Sequence, residues 1–416
     1  MSVLQTNVNG TRARFFYGWI IVCAVFFIGG TAAGTIYAFP AYFDAIAHAF
    51  GANRAQVSFV FSISEFIWFM SGFAGGFLSD RYGPRLVVFF GSLCMAAGMI
   101  LAASATSMAT LYVAYGAGVG IGGGLMYIPA ISVVQRWFKV RRGLASGLAI
   151  CGTGLGTLLF PLLASRLVER IGWVETHYVF SLIVIAICSS ASFLLVSHPE
   201  KKGFGPDGTL PAIVSLQGTT SSGLSLKQAI RTRPFWHLFV ASLLSSSAVF
   251  TTYVHLVPYA LDNHNPSYWS FALIGLLGLA SIVGRFSFGG FADRLGRRRT
   301  LAVMFVGLGL SMFWWLVASP HIINLMIYAF VFGAFYGGYI AILPGLCMSY
   351  FGGRQISGII GALYTSWGFG ALLGPPLTGV MFDFYHTYAY AIIFSILLLL
   401  IAAVSCITVT DPSDDY

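Results

Sequence analysis

The stretch GGFLSDRYGPR at residues 75–85 returns, altered but recognisable, as GGFADRLGRRR at residues 289–299. Each copy closes a long apolar run with two glycines and then an aspartate–arginine pair, Asp80–Arg81 and Asp293–Arg294. The two copies lie about half the chain apart. A second pair of stretches keeps the same interval, RWFKVRRGLASG at 136–147 and YFGGRQISG at 350–358, with Phe138 and Phe351 in register. Two repeats at one spacing predict a chain built of two equivalent halves.

The material between these stretches is apolar. Of 416 residues 57% are hydrophobic and 8% charged, with a mean hydropathy of +0.83, where a soluble chain has about 25% charged residues. Long apolar runs separated by short basic loops predict an all-α integral membrane protein. Twelve spans are read near residues 16–41, 55–79, 86–105, 109–137, 144–167, 176–197, 235–261, 268–291, 300–318, 323–350, 356–381 and 387–409. They group as an N-terminal six-helix bundle (1–197), a linker (198–234) and a C-terminal six-helix bundle (235–416). The linker opens with PEKKGFGPDG, continues through a Thr/Ser/Gly-rich stretch and ends in LKQAIRTRPF, a candidate surface helix.

The net charge of +9 does not point to nucleic acid, because its distribution follows the loops. With the N-terminus in the cytoplasm, eighteen of the 22 Lys and Arg residues face the cytoplasm and Arg54, Arg166 and Arg170 face outward. That bias predicts a multi-pass protein of the plasma membrane with both termini cytoplasmic. The six cysteines are scattered among apolar runs with no CxxC and no zinc spacing, so neither a metal nor another cofactor is expected. No nucleophile–base pair or phosphate loop suggests an enzyme. GAGVGIGGG at 116–124 lies inside a span and reads as packing glycine.

One of the 22 cations remains, Arg285, within the eighth span. Eight residues separate it from Asp293, about 12 Å of helix, which places it close to the bilayer midplane. An arginine there costs at least ~2.5 kcal/mol on insertion scales, so it must face a cavity or a partner. Its planar fork suits a carboxylate; a structural ion pair with a neighbouring helix is the competing reading. Asp262, at the outer end of span seven, and Glu65, within span two, could balance it and carry a proton, the alternatives being a solvated loop acid and a buried hydrogen-bonder. His255 would lie two turns from Asp262 if Pro258 left the helix intact. Tyr37, Tyr127, Tyr336 and Tyr364 sit in spans one, four, ten and eleven, as substrate ligands or as packing.

The paired loops GGFLSDRYGPR and GGFADRLGRRR resemble the signature of the major facilitator superfamily. The resemblance implies the major facilitator fold, twelve transmembrane helices in two six-helix pseudo-repeats, with Asp80, Arg81, Asp293 and Arg294 as gating residues. RWFKVRRGLASGLAICGTGLG (136–156), GWIIVCAVFFIGGTAAGTIYAFP (18–40) and the position of Arg285 are similar to the monocarboxylate transporter family and its relatives, the oxalate–formate exchangers. That resemblance implies that Arg285 binds the substrate carboxylate. Three positions depart from it. Ala41 stands where animal members carry lysine, Ser281 where they carry aspartate, and Tyr364 aligns with a lysine of the oxalate exchanger.

The expected function is proton-coupled symport of small monocarboxylates, lactate- or pyruvate-like, by alternating access. Substrate ligands would be Arg285, Tyr127, Tyr336, Tyr37 and Tyr364; proton-coupling groups would be Asp262, Glu65 and His255. The expected partners are the monocarboxylate, the proton and the lipid bilayer. Proton-independent anion exchange and export of amphipathic compounds are the rival functions.

Overall fold

Backbone groups in hydrocarbon have no water to bond, so a long apolar run satisfies them by forming helix. The computed structural model of the protein describes residues 16–138, 141–203, 205, 207, 223–352 and 356–408; of residues 142, 143, 289, 290, 292–294 and 357 it describes the backbone alone. Among the described residues there are twelve long helices. The first half contains α1 (Gly18–Tyr37), α2 (Arg54–Tyr82), α3 (Pro84–Ala103), α4 (Met108–Trp137), α5 (142–171) and α6 (173–192). The second half contains α7 (Arg233–Asp262), α8 (Ser267–Leu295), α9 (Arg297–Val317), α10 (Ile322–Phe351), α11 (Ile356–Tyr385) and α12 (Ala389–Ile407). Gly172, at φ 88° and ψ 166°, turns the chain between α5 and α6, a conformation that glycine adopts without a Cβ penalty.

The elements differ from the sequence reading in three places. The first span is read to residue 41, but α1 ends at Tyr37. A single tight turn, Phe39–Ala41, follows, started by Pro40. A short helix, Phe43–Phe50, then lies between α1 and α2 and ends at Gly51. Pro258, a candidate helix breaker, lies within α7, which runs unbroken from Arg233 to Asp262. In the linker the described helical structure before α7 is two single turns, Pro199–Lys202 and Leu226–Ala229.

Both described chain ends lie at one end of the bundle. There Phe16 packs edge-on against Phe138 with ring centroids 5.3 Å apart, and Tyr17 donates to the Leu194 carbonyl at 3.0 Å. Leu224 N–H reaches the Phe351 carbonyl at 2.8 Å, and His237 Nδ1 lies 3.2 Å from the Ser405 carbonyl. This is the terminus end; the turns near residues 51, 172, 264 and 386 make the opposite end.

The repeat seen in the sequence is also a repeat in packing. Along α5, a Cβ added at Gly152 or Gly156 would meet the Phe26 or Gly30 carbonyl of α1 at 2.0 or 1.9 Å. Along α11, one at Gly370 or Gly374 would meet the Leu243 or Ser247 carbonyl of α7 at 2.7 or 2.3 Å. Glycine at these seams lets two backbones touch, the usual basis of close helix association in a membrane. Between the halves, α2 runs against α11 and α5 against α8.

Gly156→Ala should therefore force α1 and α5 apart. It is expected to destabilise the protein by about 1–3 kcal/mol, the range for overpacking a filled interior, seen as a lower melting temperature in detergent. Gly76→Ala is the control, because its nearest neighbour would be the Ile128 Cγ2 at an ordinary 3.8 Å.

Candidate functional site

Arg285 sits ten residues before the end of α8 at Leu295 and eighteen after its start at Ser267, about 15 Å and 27 Å of helix respectively. It is half-buried. Its Nε is shielded from solvent and has no hydrogen-bond partner. Among the described residues no acid forms an ion pair with it; the pairs present are Arg54–Asp262 and Arg136–Asp80. The field of its guanidinium reaches the hydroxyls of Tyr127, Tyr253, Tyr336 and Tyr364 and the thiol of Cys151. These side chains come from α4, α7, α10, α11 and α5, so one cation of the second half faces both halves.

The predicted tyrosines converge. Tyr37 stacks at a tilt on Tyr253 with centroids 4.7 Å apart, and Tyr253 meets Tyr336 edge-on at 6.0 Å. Trp367 lies behind them, 6.1 Å from Tyr336 and 5.4 Å from Tyr364. Tyr127 packs on Trp68 at 6.0 Å. Glu65, only 2% exposed, has the Tyr37 hydroxyl as its polar neighbour, and its field also reaches Tyr253 and Tyr336. Tyr253 and Trp367 are missing from the residues picked out of the sequence. Tyr253 lies two residues before His255, but nothing in one sequence separates it from the other nineteen tyrosines.

The positions that depart from the family pattern hold no charge here. Ser281 is buried and donates to the Gly278 carbonyl of its own helix at 2.7 Å. Ala41 is buried in the tight turn after α1.

Asp262 and His255 are not brought to Arg285. Asp262 ends α7 at the opposite end of the bundle and accepts from Arg54 Nη2 at 2.7 Å. Arg54 belongs to the first half and begins α2. Its guanidinium also donates to the Tyr388 hydroxyl and lies 4.1 Å over the Phe382 ring. The backbone N–H groups of Arg54 and Ala55, unpaired at a helix start, are capped by the Asp383 carboxylate at 3.1 and 3.0 Å. Asp383 lies on α11, so the second half caps a helix of the first. His255 belongs to the same cluster. Its Nε2 lies 2.9 Å from the Pro375 carbonyl and 3.1 Å from Ser58 Oγ, and its Nδ1 3.4 Å from the Tyr388 hydroxyl. Among the described residues, the hydrogen bonds and ion pair that join the halves all lie in this opposite-end latch.

At the terminus end, Asp80 is paired with Arg136 of α4, within its own half, while the Arg81 guanidinium lies 5.3 Å from the Tyr82 ring. The side chains of Asp293 and Arg294 fall outside the described residues.

The chain matches the Major Facilitator Superfamily over residues 21–320 and again over 273–415. It is 29% identical to monocarboxylate transporter 13 of Rattus norvegicus, over 89% of this chain and 84% of that one. It is 28% identical to monocarboxylate transporter 11 of Homo sapiens, over 88% and 77%. Among solved structures, a bacterial homolog of the human lysosomal transporter Spinster, inward-facing and occupied, superposes with a TM-score of 0.74 at 14% identity, over 98% of each chain. A peptide transporter bound to alafosfalin superposes with a TM-score of 0.71 at 17% identity, over 92% and 93%.

The latch generates a prediction about conformation. Asp44, on the short helix after α1, faces Arg54 and Asp262; desolvation raises its carboxyl above the ordinary aspartate range, Arg54 opposing and Asp262 adding to the rise. Arg54→Gln should open the opposite end, because it removes the ion pair with Asp262. Spin-label distances across that end would show this, and an unchanged distribution in Arg54→Gln would remove the latch assignment.

Proposed function

The chain belongs to the Major Facilitator Superfamily, a family of multi-pass transporters rather than enzymes, and on that premise we propose that it carries small monocarboxylates together with a proton by alternating access. The observation that carries this reading is Arg285, a permanent charge inside the bundle whose Nε is buried without a hydrogen-bond partner and whose surroundings offer hydroxyls rather than carboxylates. A carboxylate supplies what is missing there, two acceptors in the plane of the fork. Tyr37, Tyr127, Tyr336 and Tyr364 would complete the pocket, with hydroxyls for the carboxylate and rings for an aliphatic chain. The names of the curated relatives agree with a monocarboxylate cargo.

The proton has two places to act. On Asp262 it would remove the partner of Arg54 and loosen the latch, so that proton binding opens the opposite end. On Glu65 it would neutralise the one acid in the cluster. His255, already bonded to Ser58 and Pro375, would transmit a change in the latch rather than meet the substrate. Moving anion and proton together avoids carrying a bare charge through the bilayer core. At the other end, Asp80, Arg81, Asp293 and Arg294 would govern closure; Asp80→Asn should slow turnover with much less effect on affinity.

The basic loops support a plasma-membrane protein with the terminus end in the cytoplasm, and the latch then faces outward. Cysteines introduced near Lys201 and labelled from outside intact cells by an impermeant reagent would contradict that topology. The uncharged Ala41 and Ser281 favour a second reading, anion exchange without a proton. A pH gradient alone drives uptake in the first reading and not in the second.

Arg285→Lys keeps the charge and loses the fork. Loss of charge-assisted hydrogen bonds worth about 1.5–3 kcal/mol should weaken monocarboxylate binding about 10- to 150-fold, and Arg285→Ala at least as much. Binding assays on folded, purified variants test this. Wild-type affinity in Arg285→Ala would overturn the carboxylate site.

A further inference from the structure

The outer surface of the first half, where α3 meets α6, is apolar along its length and basic at one end. The two helices touch near the terminus end: Ser92 Oγ lies 2.8 Å from Ser189 Oγ, and the Phe89 and Phe193 ring centroids are 5.6 Å apart. Leu86, Phe90 and Leu93 are exposed on α3, and Tyr178, Leu182 and Ile185 on α6. In each helix the i, i+4, i+7 spacing makes a single stripe, the kind of exposed apolar surface that meets a membrane. Where the stripes end, cations gather. Arg85 Nη2 donates to the Phe193 carbonyl, just past α6, at 2.6 Å, and its guanidinium lies 5.9 Å from the Phe193 ring. Lys202 Nζ lies 4.9 Å from the Tyr17 ring, and the Tyr17 hydroxyl holds the next carbonyl, that of Leu194. Lys201, adjacent in the chain, is exposed. Glu200 is the acid of the same turn, and among the described residues none of these three cations is ion-paired. Three cations against one acid, at the rim of an apolar surface, make it amphipathic with a positive head.

We propose that this surface binds an anionic phospholipid, its phosphate on Arg85, Lys201 and Lys202 and its acyl chains along the exposed stripes of α3 and α6. The binding is independent of the cargo and of Arg285. Each part of the surface matches one part of such a lipid. The bond from Arg85 to the Phe193 carbonyl fixes the guanidinium at the rim, and its other N–H groups remain for phosphate oxygens. The lysines add charge, and basic residues beside a spanning helix attract anionic headgroups. Phe193 and Tyr17 stand at the end of the stripes, the level where aromatic rings sit between headgroup and hydrocarbon. A soluble anion would use the cations and leave the stripes uncovered. A zwitterionic lipid would cover the stripes but bring its own cation to a positive rim. A lipid held there would bridge the start of α3, the end of α6 and the residue before α1, and so stabilise the first half.

The test uses full-length purified protein in an uncharged detergent. The probes are phosphatidylglycerol, phosphatidylcholine with the same acyl chains, and inorganic phosphate; the readouts are lipid adducts in native mass spectrometry and the melting temperature. Phosphatidylglycerol should bind about tenfold or more tightly than phosphatidylcholine and raise the melting temperature, and inorganic phosphate should not displace it. Arg85→Gln combined with Lys202→Gln should weaken phosphatidylglycerol binding about tenfold or more, the effect of two juxtamembrane cations, and leave phosphatidylcholine within about threefold. Lys201→Gln combined with Lys202→Gln keeps the Arg85 hydrogen bond and should show the same selective loss in a protein whose fold is untouched. Lys227→Gln combined with Arg231→Gln removes two cations before α7 and should change neither lipid. An equal loss in that control would make the attraction diffuse and overturn the site. Displacement by inorganic phosphate would overturn the lipid assignment, and equal affinity of the wild type for the two lipids would overturn the proposal outright.

Discussion

A permanent charge inside an apolar bundle has to be answered by the protein around it. The chain carries two arginines at critical places and answers them in opposite ways. Arg54 is surrounded by partners from the other half, namely Asp262, the Tyr388 hydroxyl and the Phe382 ring. Arg285 is given tyrosine hydroxyls at a distance and, among the described residues, no ion-paired acid. The first arrangement uses up the charge to join the halves. The second leaves it unspent, and a buried donor without a partner is costly. In the proposed function an arriving anion would remove that cost.

The latch is suited to a movable joint because none of its parts is individually strong. Arg54 and Asp262 keep 19% and 37% of their side-chain surface in solvent, and such pairs contribute only ~0–1 kcal/mol. The capping of α2 by Asp383 satisfies backbone groups that water would satisfy equally well once the halves part. A contact whose components water can replace opens without a large penalty. The glycine seams are of another kind. They hold α1 to α5 and α7 to α11 within each half by backbone contact, which water cannot replace.

How much of this was legible in the chain differs by residue, for physical reasons. The repeated GGF…DR stretches and the apolar runs determined twelve helices in two halves, because runs of about 20 apolar residues satisfy their backbone in lipid as helix. Arg285 was legible as well, since a charge in an apolar run is expensive wherever the helix points. Tyr37, Tyr127, Tyr336 and Tyr364 were legible as residues of particular helices but not as a cluster. Tyrosine is stable in core, interface and pocket alike, and Tyr253 and Trp367 show how many rings local pattern cannot sort.

Contacts between distant segments were decided by the tertiary structure alone. The spacing in YVHLVPYALD put His255 and Asp262 on one helix face, but their partners came from α2 and α11. Arg54, one more basic residue of an outer loop in the sequence, is the hub of the latch, because its guanidinium meets Asp262, Tyr388 and Phe382, and its backbone N–H meets Asp383, only after the halves pack. Ser281 and Ala41 marked in the sequence where charge is missing; the fold placed Glu65 beside the Tyr37 hydroxyl. The sequence by itself determined which residues must be buried and in what kind of helix, since that depends on each segment's transfer from water. Which buried groups face one another depends on helix rotation and approach, set by glycine seams and side-chain packing across hundreds of residues, and that the tertiary structure decided.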